Sequence, residues 1–111
     1  MYESGLGVEK QSYAEAAKWH RKAAEQGNAH AQRSLGGIYG YGWGVKKDFA
    51  EAEKWYRKAA EQGNVPAQFG LGRMYYFELN NKKEGEKWLR KAADGGDKVA
   101  QDALKGIRKK R

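Results

Sequence analysis

One stretch of this chain occurs three times: Trp19-His-Arg-Lys-Ala-Ala-Glu-Gln-Gly-Asn28, Trp55-Tyr-Arg-Lys-Ala-Ala-Glu-Gln-Gly-Asn64 and Trp88-Leu-Arg-Lys-Ala-Ala-Asp-Gly-Gly-Asp97. Successive tryptophans stand 36 and 33 residues apart. A period of that length belongs to proteins built by stacking small units, because one unit cannot bury its apolar face alone.

Around each copy the apolar residues recur at helical spacing. Tyr13, Ala16, Ala17, Trp19, His20, Ala23 and Ala24 step by three and four, with Lys18, Arg21, Lys22 and Glu25 between them, which predicts an amphipathic helix from Tyr13 to Gln26. Gly27 supplies the left-handed conformation that ends it, and Asn28 can cap the next helix. Ala31, Leu35, Ile38 and Tyr39 form the stripe of that second helix, and Gly36 removes a side chain where a neighbour must come close. The cycle returns with Asp48 as N-cap, a helix from Phe49 to Gln62, a Gly63-Asn64 corner and a helix from Val65 to about Glu78. Pro66 sits in the first turn of that helix, where a missing N–H is harmless. The third connection, Leu79 to Lys83, is shorter and has lost its glycines. A last pair of helices follows, roughly Glu84 to Ala93 and Asp97 to Arg108, the final one apolar along Val99, Ala100, Ala103, Leu104 and Ile107 and polar elsewhere, as a terminal cap requires. The units expected are 1–28, 29–64 and 65–96, with a capping helix at 97–108.

Residues 1–12 are expected to be the end of an element followed by a loop, since Tyr2-Glu-Ser-Gly-Leu-Gly-Val8 repeats the spacing of Tyr39-Gly-Tyr-Gly-Trp-Gly-Val45. On this reading the chain starts in mid-repeat and the helix from Tyr13 keeps an uncovered flank. Exposed apolar patches mark association, so the expectation is self-association through the incomplete N-terminal repeat or a place in a longer array.

Mean hydropathy is −1.02, and no apolar run approaches the roughly 20 residues of a spanning helix. With no secretory signal at the start, the chain reads as soluble and cytoplasmic, without a membrane partner. Cysteine is absent, which excludes disulfides, thiolate metal sites and a cysteine nucleophile. Of the net charge of +8, five charges come from Lys105, Arg108, Lys109, Lys110 and Arg111, leaving +3 for residues 1–104. A basic terminus can bind nucleic acid, but it also complements the negative end of a helix dipole.

Taken together, Ala31…Leu35-Gly36…Tyr39, Gly42-Trp-Gly-Val45, Asp48-Phe49 and Trp55-Tyr-Arg-Lys-Ala-Ala60 resemble the Sel-one-like repeat (SLR) family, a tetratricopeptide-like α-solenoid. The resemblance covers nearly the whole chain. It implies an all-α fold, a right-handed superhelix of antiparallel helix pairs, and use as a protein–protein interaction scaffold, often in bacterial signalling or host contact. Cysteine-rich members are described as binding or hydrolysing β-lactams, an activity not expected of a chain without cysteine.

Several residue sets are candidate sites. Trp19, Trp55 and Trp88 fall inside the apolar stripe and are expected to fill the core rather than form a ligand ladder. His20 shares the core position of Tyr56 and Leu89, and His30 lacks companions at metal-ligand spacing, so neither a catalytic base nor a metal is expected. Lys18/Arg21/Lys22, Lys54/Arg57/Lys58 and Lys87/Arg90/Lys91 would stack into an outer column that could follow phosphates. Glu15, Glu25, Glu51, Glu61, Glu84 and Asp94 on the same helices favour a solvated face instead. The concave side, judged by the register that buries Leu35 and Leu71, should carry Arg33, Gly37, Tyr41, Phe69, Arg73 and Phe77, with Tyr76 adjacent. Arginine with aromatics is the composition of interface anchors. Trp43, between glycines at a loop tip, is a further candidate. The protein-binding residues expected are therefore Arg33, Tyr41, Trp43, Phe69, Arg73, Tyr76 and Phe77. No cofactor is expected, and no catalytic constellation appears. The leading expectation is a non-catalytic scaffold that binds a protein segment on its concave face. The alternatives are a small inhibitor or immunity-type protein that neutralises an acidic enzyme or toxin, and a nucleic-acid binder that uses the basic tail and outer column.

Overall fold

The computed structural model describes the backbone of residues 5–110 and the side chains of residues 13–107. Within it the chain forms helices α1 (Gly5–Glu25), α2 (Ala29–Tyr41), α3 (Phe49–Glu61), α4 (Val65–Arg73), α5 (Lys82–Asp94) and α6 (Lys98–Lys110), and no strand appears among the described residues. Neighbours in sequence are neighbours in space: α1/α2, α3/α4 and α5/α6 are hairpins, and α2 packs on α3 as α4 packs on α5. This is an all-α solenoid, 48 × 31 × 23 Å along its principal axes.

The corners are built from local chemistry. Gly27, Gly63 and Gly96 take φ of +94°, +90° and +98°. Asn28, Asn64 and Asp97 then accept the N–H groups of Ala31, Ala67 and Ala100 at 2.8, 2.9 and 2.9 Å, satisfying donors the first turn leaves free. A tie not legible in the sequence recurs beside each corner: Gln32, Gln68 and Gln101 donate to the carbonyls of Ala24, Ala60 and Ala93 at 3.0, 3.2 and 3.1 Å. A Cβ on Gly63 would meet nothing within 4 Å, so the backbone alone forbids a side chain there. Gly63→Ala is expected to cost about 1–2 kcal/mol in urea unfolding, and an unchanged midpoint would show that the corner adopts another geometry.

Three expectations are corrected. First, α1 runs without interruption from Gly5, where a loop was expected; residues 1–4 of that stretch lie outside the described residues. In the second copy the loop is held by Asp48, whose carboxylate accepts from Ala50 and Glu51 at 3.0 and 3.2 Å and whose N–H bonds the Tyr39 carbonyl at 3.0 Å. The first copy has Ser12 in that place and no described helix ahead to accept such a bond, while Leu6, Glu9, Lys10 and Gln11 favour continued helix.

Second, Trp55 and Trp88 are 3% and 4% exposed, but Trp19 is 66% exposed. Each buried tryptophan fills the hairpin before its own helix. Trp55 packs with Ala17, Ala24, Ala31, Leu35 and Ile38 of the first hairpin, and Trp88 with Tyr56, Ala59, Ala67, Leu71, Met74 and Tyr75 of the second. No described hairpin precedes α1, so Trp19 has no apolar surface to enter; the Lys22 ammonium sits 5.2 Å from its ring.

Third, the fourth helix does not stay α-helical to Glu78. Met74–Glu78 form a π-helical turn in which the Leu79 N–H reaches the Met74 carbonyl at 2.9 Å. This turn feeds the shortened third loop, where Asn80 takes φ +54° in place of a glycine. The Asn81 N–H bonds the Tyr75 carbonyl at 2.8 Å, the counterpart of Asp48 to Tyr39. Side chains beyond Arg73 are thereby turned away from the positions that α-helical counting gives them.

Close packing within and between hairpins depends on missing side chains. A Cβ on Gly36 would lie 2.8 Å from the Tyr56 ring, and one on Gly70 would lie 2.7 Å from the same ring's other part. Gly72 lies against the backbone of α5, where a Cβ would come within 2.8 Å of the Leu89 nitrogen. In α6 the matching position is the exposed Lys105, and no described helix stacks on it.

Candidate functional site

The inner helices α2 and α4, with α1 and the loop after α2, enclose a groove of ≈ 480 Å³ on one side of the solenoid. Its middle is floored by Gly37 and Gly70, and the Tyr56 ring, which takes the space a side chain on Gly70 would need, forms part of the wall. Burial raises the Tyr56 phenol above its usual range, and the positive charge of nearby Arg33 pulls the other way.

One rim is aromatic. The Trp43 ring stacks on Tyr13 with centroids 5.6 Å apart and 24° between planes, and on Tyr41 at 4.8 Å and 15°. All three rings remain nearly half exposed. This stack fixes the loop tip against α1 and α2, and it gives the groove a continuous π-edge. Across from it, Arg73 of α4 donates to the Tyr41 hydroxyl and lies 5.3 Å from that ring, which ties the second inner helix to the first. Beyond this bridge lies a smaller cleft of ≈ 80 Å³ bordered by Lys47, Phe49, Met74 and Glu78.

Arg33, Tyr41, Trp43, Phe69 and Arg73 thus line one groove, as the register counting expected for Arg33, Tyr41, Phe69 and Arg73. Phe69 has a second duty, since it is partly buried against Leu89, Leu104 and Ile107. Tyr76 and Phe77 do not line the groove. Tyr76 packs on that same third cluster, against the backbone of Gly85, and Phe77 points elsewhere with 62% of its surface exposed. The π turn is the reason.

Tyr13, His20, Tyr56 and Asp97 also reach the groove and were not expected there. His20 stands at the position of buried Tyr56, but no described hairpin covers α1, so it is half-buried and opens onto the groove. The cross-chain stack of Tyr13 on Trp43 leaves no local signal in sequence.

The charged lining is unevenly paired. Asp97 is occupied as the cap of α6. Arg33 makes no ion pair among the described residues, and its Nε is buried without a hydrogen-bond partner. The outer column differs. Arg21 donates to Tyr39, lies 3.8 Å from Glu51 and covers the Trp55 ring at 5.8 Å; Arg57 donates to Tyr75 at 2.5 Å, lies 3.5 Å from Glu53 and covers Trp88 at 5.8 Å. Tyr75 in turn donates to Glu53, and burial, followed by this carboxylate, raises its phenol. Lys54 and Lys87 pair with Glu51 and Glu84, and Arg90 with Glu86. Arg21 and Arg57 thus reach the tryptophan of the next hairpin, while Lys54, Lys87 and Arg90 pair with glutamates of their own helices. The side chains of the basic tail from Arg108 to Arg111 lie outside the described residues.

Comparison with known proteins follows the same repeat. The Sel1 repeat family pattern matches residues 1–28, 29–64 and 65–97. Among solved structures, the chain is similar to a Sel1 repeat protein from Oxalobacter formigenes, at 38% identity and a TM-score of 0.78 over 85% of this chain and 28% of that one. It is also similar to c5321, a protective antigen of uropathogenic Escherichia coli strains with an SLR fold, at 37% identity and a TM-score of 0.79 over 82% of this chain and 20% of that one. The chain therefore spans less than a third of the length of either structure. No curated protein matches it.

Proposed function

This chain belongs to the Sel1 repeat family, and from that premise we propose that it is a non-catalytic scaffold holding a segment of another protein in the groove between α1, α2 and α4. Proteins of this family generally mediate protein–protein interactions. The observation that carries the reading is the half-exposed stack of Tyr13, Trp43 and Tyr41 lining one groove with Arg33 and with Arg73, which is bonded to Tyr41. Large flat side chains lose little rotamer freedom on binding and offer wide contact area, and arginine adds directional donors. Phe69 extends the contact from the opposite wall.

The test is comparative capture from the native source, with nuclease present. The unmodified chain is compared with Trp43→Ala and Arg73→Ala, the unfolding midpoint of each variant being measured beside it because Trp43 holds the loop tip and Arg73 ties α4 to α2. Binding of the captured protein, measured by calorimetry, is expected to fall about tenfold or more in each variant. Unchanged affinity in both would remove the groove from the interaction.

A further inference from the structure

We propose that the segment held in this groove is acidic, with a glutamate or aspartate side chain seated on Arg33 and a neighbouring aromatic side chain laid against the Tyr13–Trp43–Tyr41 stack. This rests on the groove being a segment-binding site, and it adds the chemistry of the segment.

The groove is lined by two arginines, Arg33 and Arg73, one carboxylate, Asp97, and the imidazole of His20. Asp97 is spent on the Ala100 N–H. Arg73 is held by the Tyr41 hydroxyl and ring. Arg33 alone among the arginines described at the groove and the outer column has neither a carboxylate nor a phenol bonded to it, although its Nε is withdrawn from water. A partly desolvated guanidinium without an anion is unfavourable, and the group that best satisfies it is a carboxylate, which can take two parallel N–H donors. The other arginines show what the fold does when an anion is available: Arg21, Arg57 and Arg90 each lie within 4 Å of a glutamate, at 3.8, 3.5 and 3.8 Å. No described acidic side chain lies within ion-pair distance of Arg33, and the proposal assigns that carboxylate to the ligand.

The aromatic half of the motif follows from geometry. The three stacked rings are nearly parallel, so they present edges and one outer face along the rim, and a flat or apolar ligand group loses least there. A volume of ≈ 480 Å³ lies in the range of small-ligand sites and holds a few residues of extended chain. A nucleic-acid strand is the less fitting occupant, because the arginines that could follow its phosphates along the outer helices are already matched by carboxylates.

The test uses the whole chain and an amidated, acetylated, fluorescein-labelled peptide of alternating glutamate and phenylalanine, so that every carboxylate is a side chain. Its glutamine counterpart and a labelled oligo-thymidine complete the probes, read by fluorescence anisotropy. The glutamate peptide is expected to bind about tenfold or more tightly than the glutamine peptide. Arg33→Gln should abolish that preference, Arg33→Lys should retain part of it, and Arg57→Gln should leave it intact. Trp43→Ala should weaken both peptides alike. Equal binding of the two peptides to the unmodified chain, lost in Trp43→Ala, would overturn the acidic assignment while leaving the groove as a segment site. No binding of either peptide would overturn both. Binding of oligo-thymidine that Arg33→Gln removes would assign the groove to a phosphate chain instead.

Discussion

Replacing Trp88 by alanine is expected to cost about 3–5 kcal/mol of folding stability, while the same replacement at Trp19 stays within about 0.5 kcal/mol. The two residues sit in almost the same local sequence, Trp-X-Arg-Lys-Ala-Ala, and differ in what lies opposite. Trp88 is enclosed by α3, α4 and the π turn, and removing it empties the centre of the second hairpin. Trp19 faces solvent and leaves no cavity. Since domains hold only about 5–15 kcal/mol in total, the first variant should unfold at much lower urea and the second should not. Trp88→Phe is expected to lose about 1–2 kcal/mol, because most of the volume is kept. Its indole N–H has no hydrogen-bond partner, so deleting that donor removes a buried group that is itself a penalty. Far-UV dichroism against urea reads all three variants. Equal destabilisation by Trp19→Ala and Trp88→Ala would mean that α1 is covered in solution by something that packs as a hairpin does.

The second large effect concerns glycine as an absence. Gly72→Ala is expected to destabilise by at least about 2–3 kcal/mol, whereas Gly106→Ala should stabilise by about 0.5–1 kcal/mol. At Gly72 the new methyl would lie 2.8 Å from the Leu89 nitrogen and 3.0 Å from the Gly85 carbonyl oxygen. Neither backbone atom can swing aside, so α4 and α5 must separate and loosen the contacts between them. At Gly106, within α6, nothing lies within 4 Å, and alanine simply narrows the freedom of the unfolded chain. Thermal unfolding of the two variants beside the parent reads the sign directly. A Gly72→Ala protein as stable as the parent would show that the α4–α5 seam is looser than the distances require.

Much of this architecture was legible in the residues. Three- and four-residue spacing announced the helices, Gly-Asn and Gly-Asp corners announced the turns, and Gly36 announced a close approach that the Tyr56 ring fulfils. Register counting from Leu35 and Leu71 brought Arg33, Tyr41, Phe69 and Arg73 to one side, because inside a regular helix a side chain's direction is fixed by its position. The counting failed at Tyr76 and Phe77, where the π turn changed the angle per residue. It also missed His20 and Tyr13, whose role depends on neighbours far along the chain.

The sequence by itself determined the period of the repeating unit, its corners, and its helices apart from the start of α1 and the π turn that ends α4. These are consequences of local propensity, capping and spacing, which each stretch carries with it wherever it is placed. Tertiary structure alone decided that Trp55 and Trp88 are buried while Trp19 is not, that Trp43 stacks on both Tyr13 and Tyr41, and that Arg33 has no ion pair among the described residues. Burial and pairing are properties of two surfaces meeting, and near-identical stretches acquire different environments when one of them packs on a described unit and the other does not.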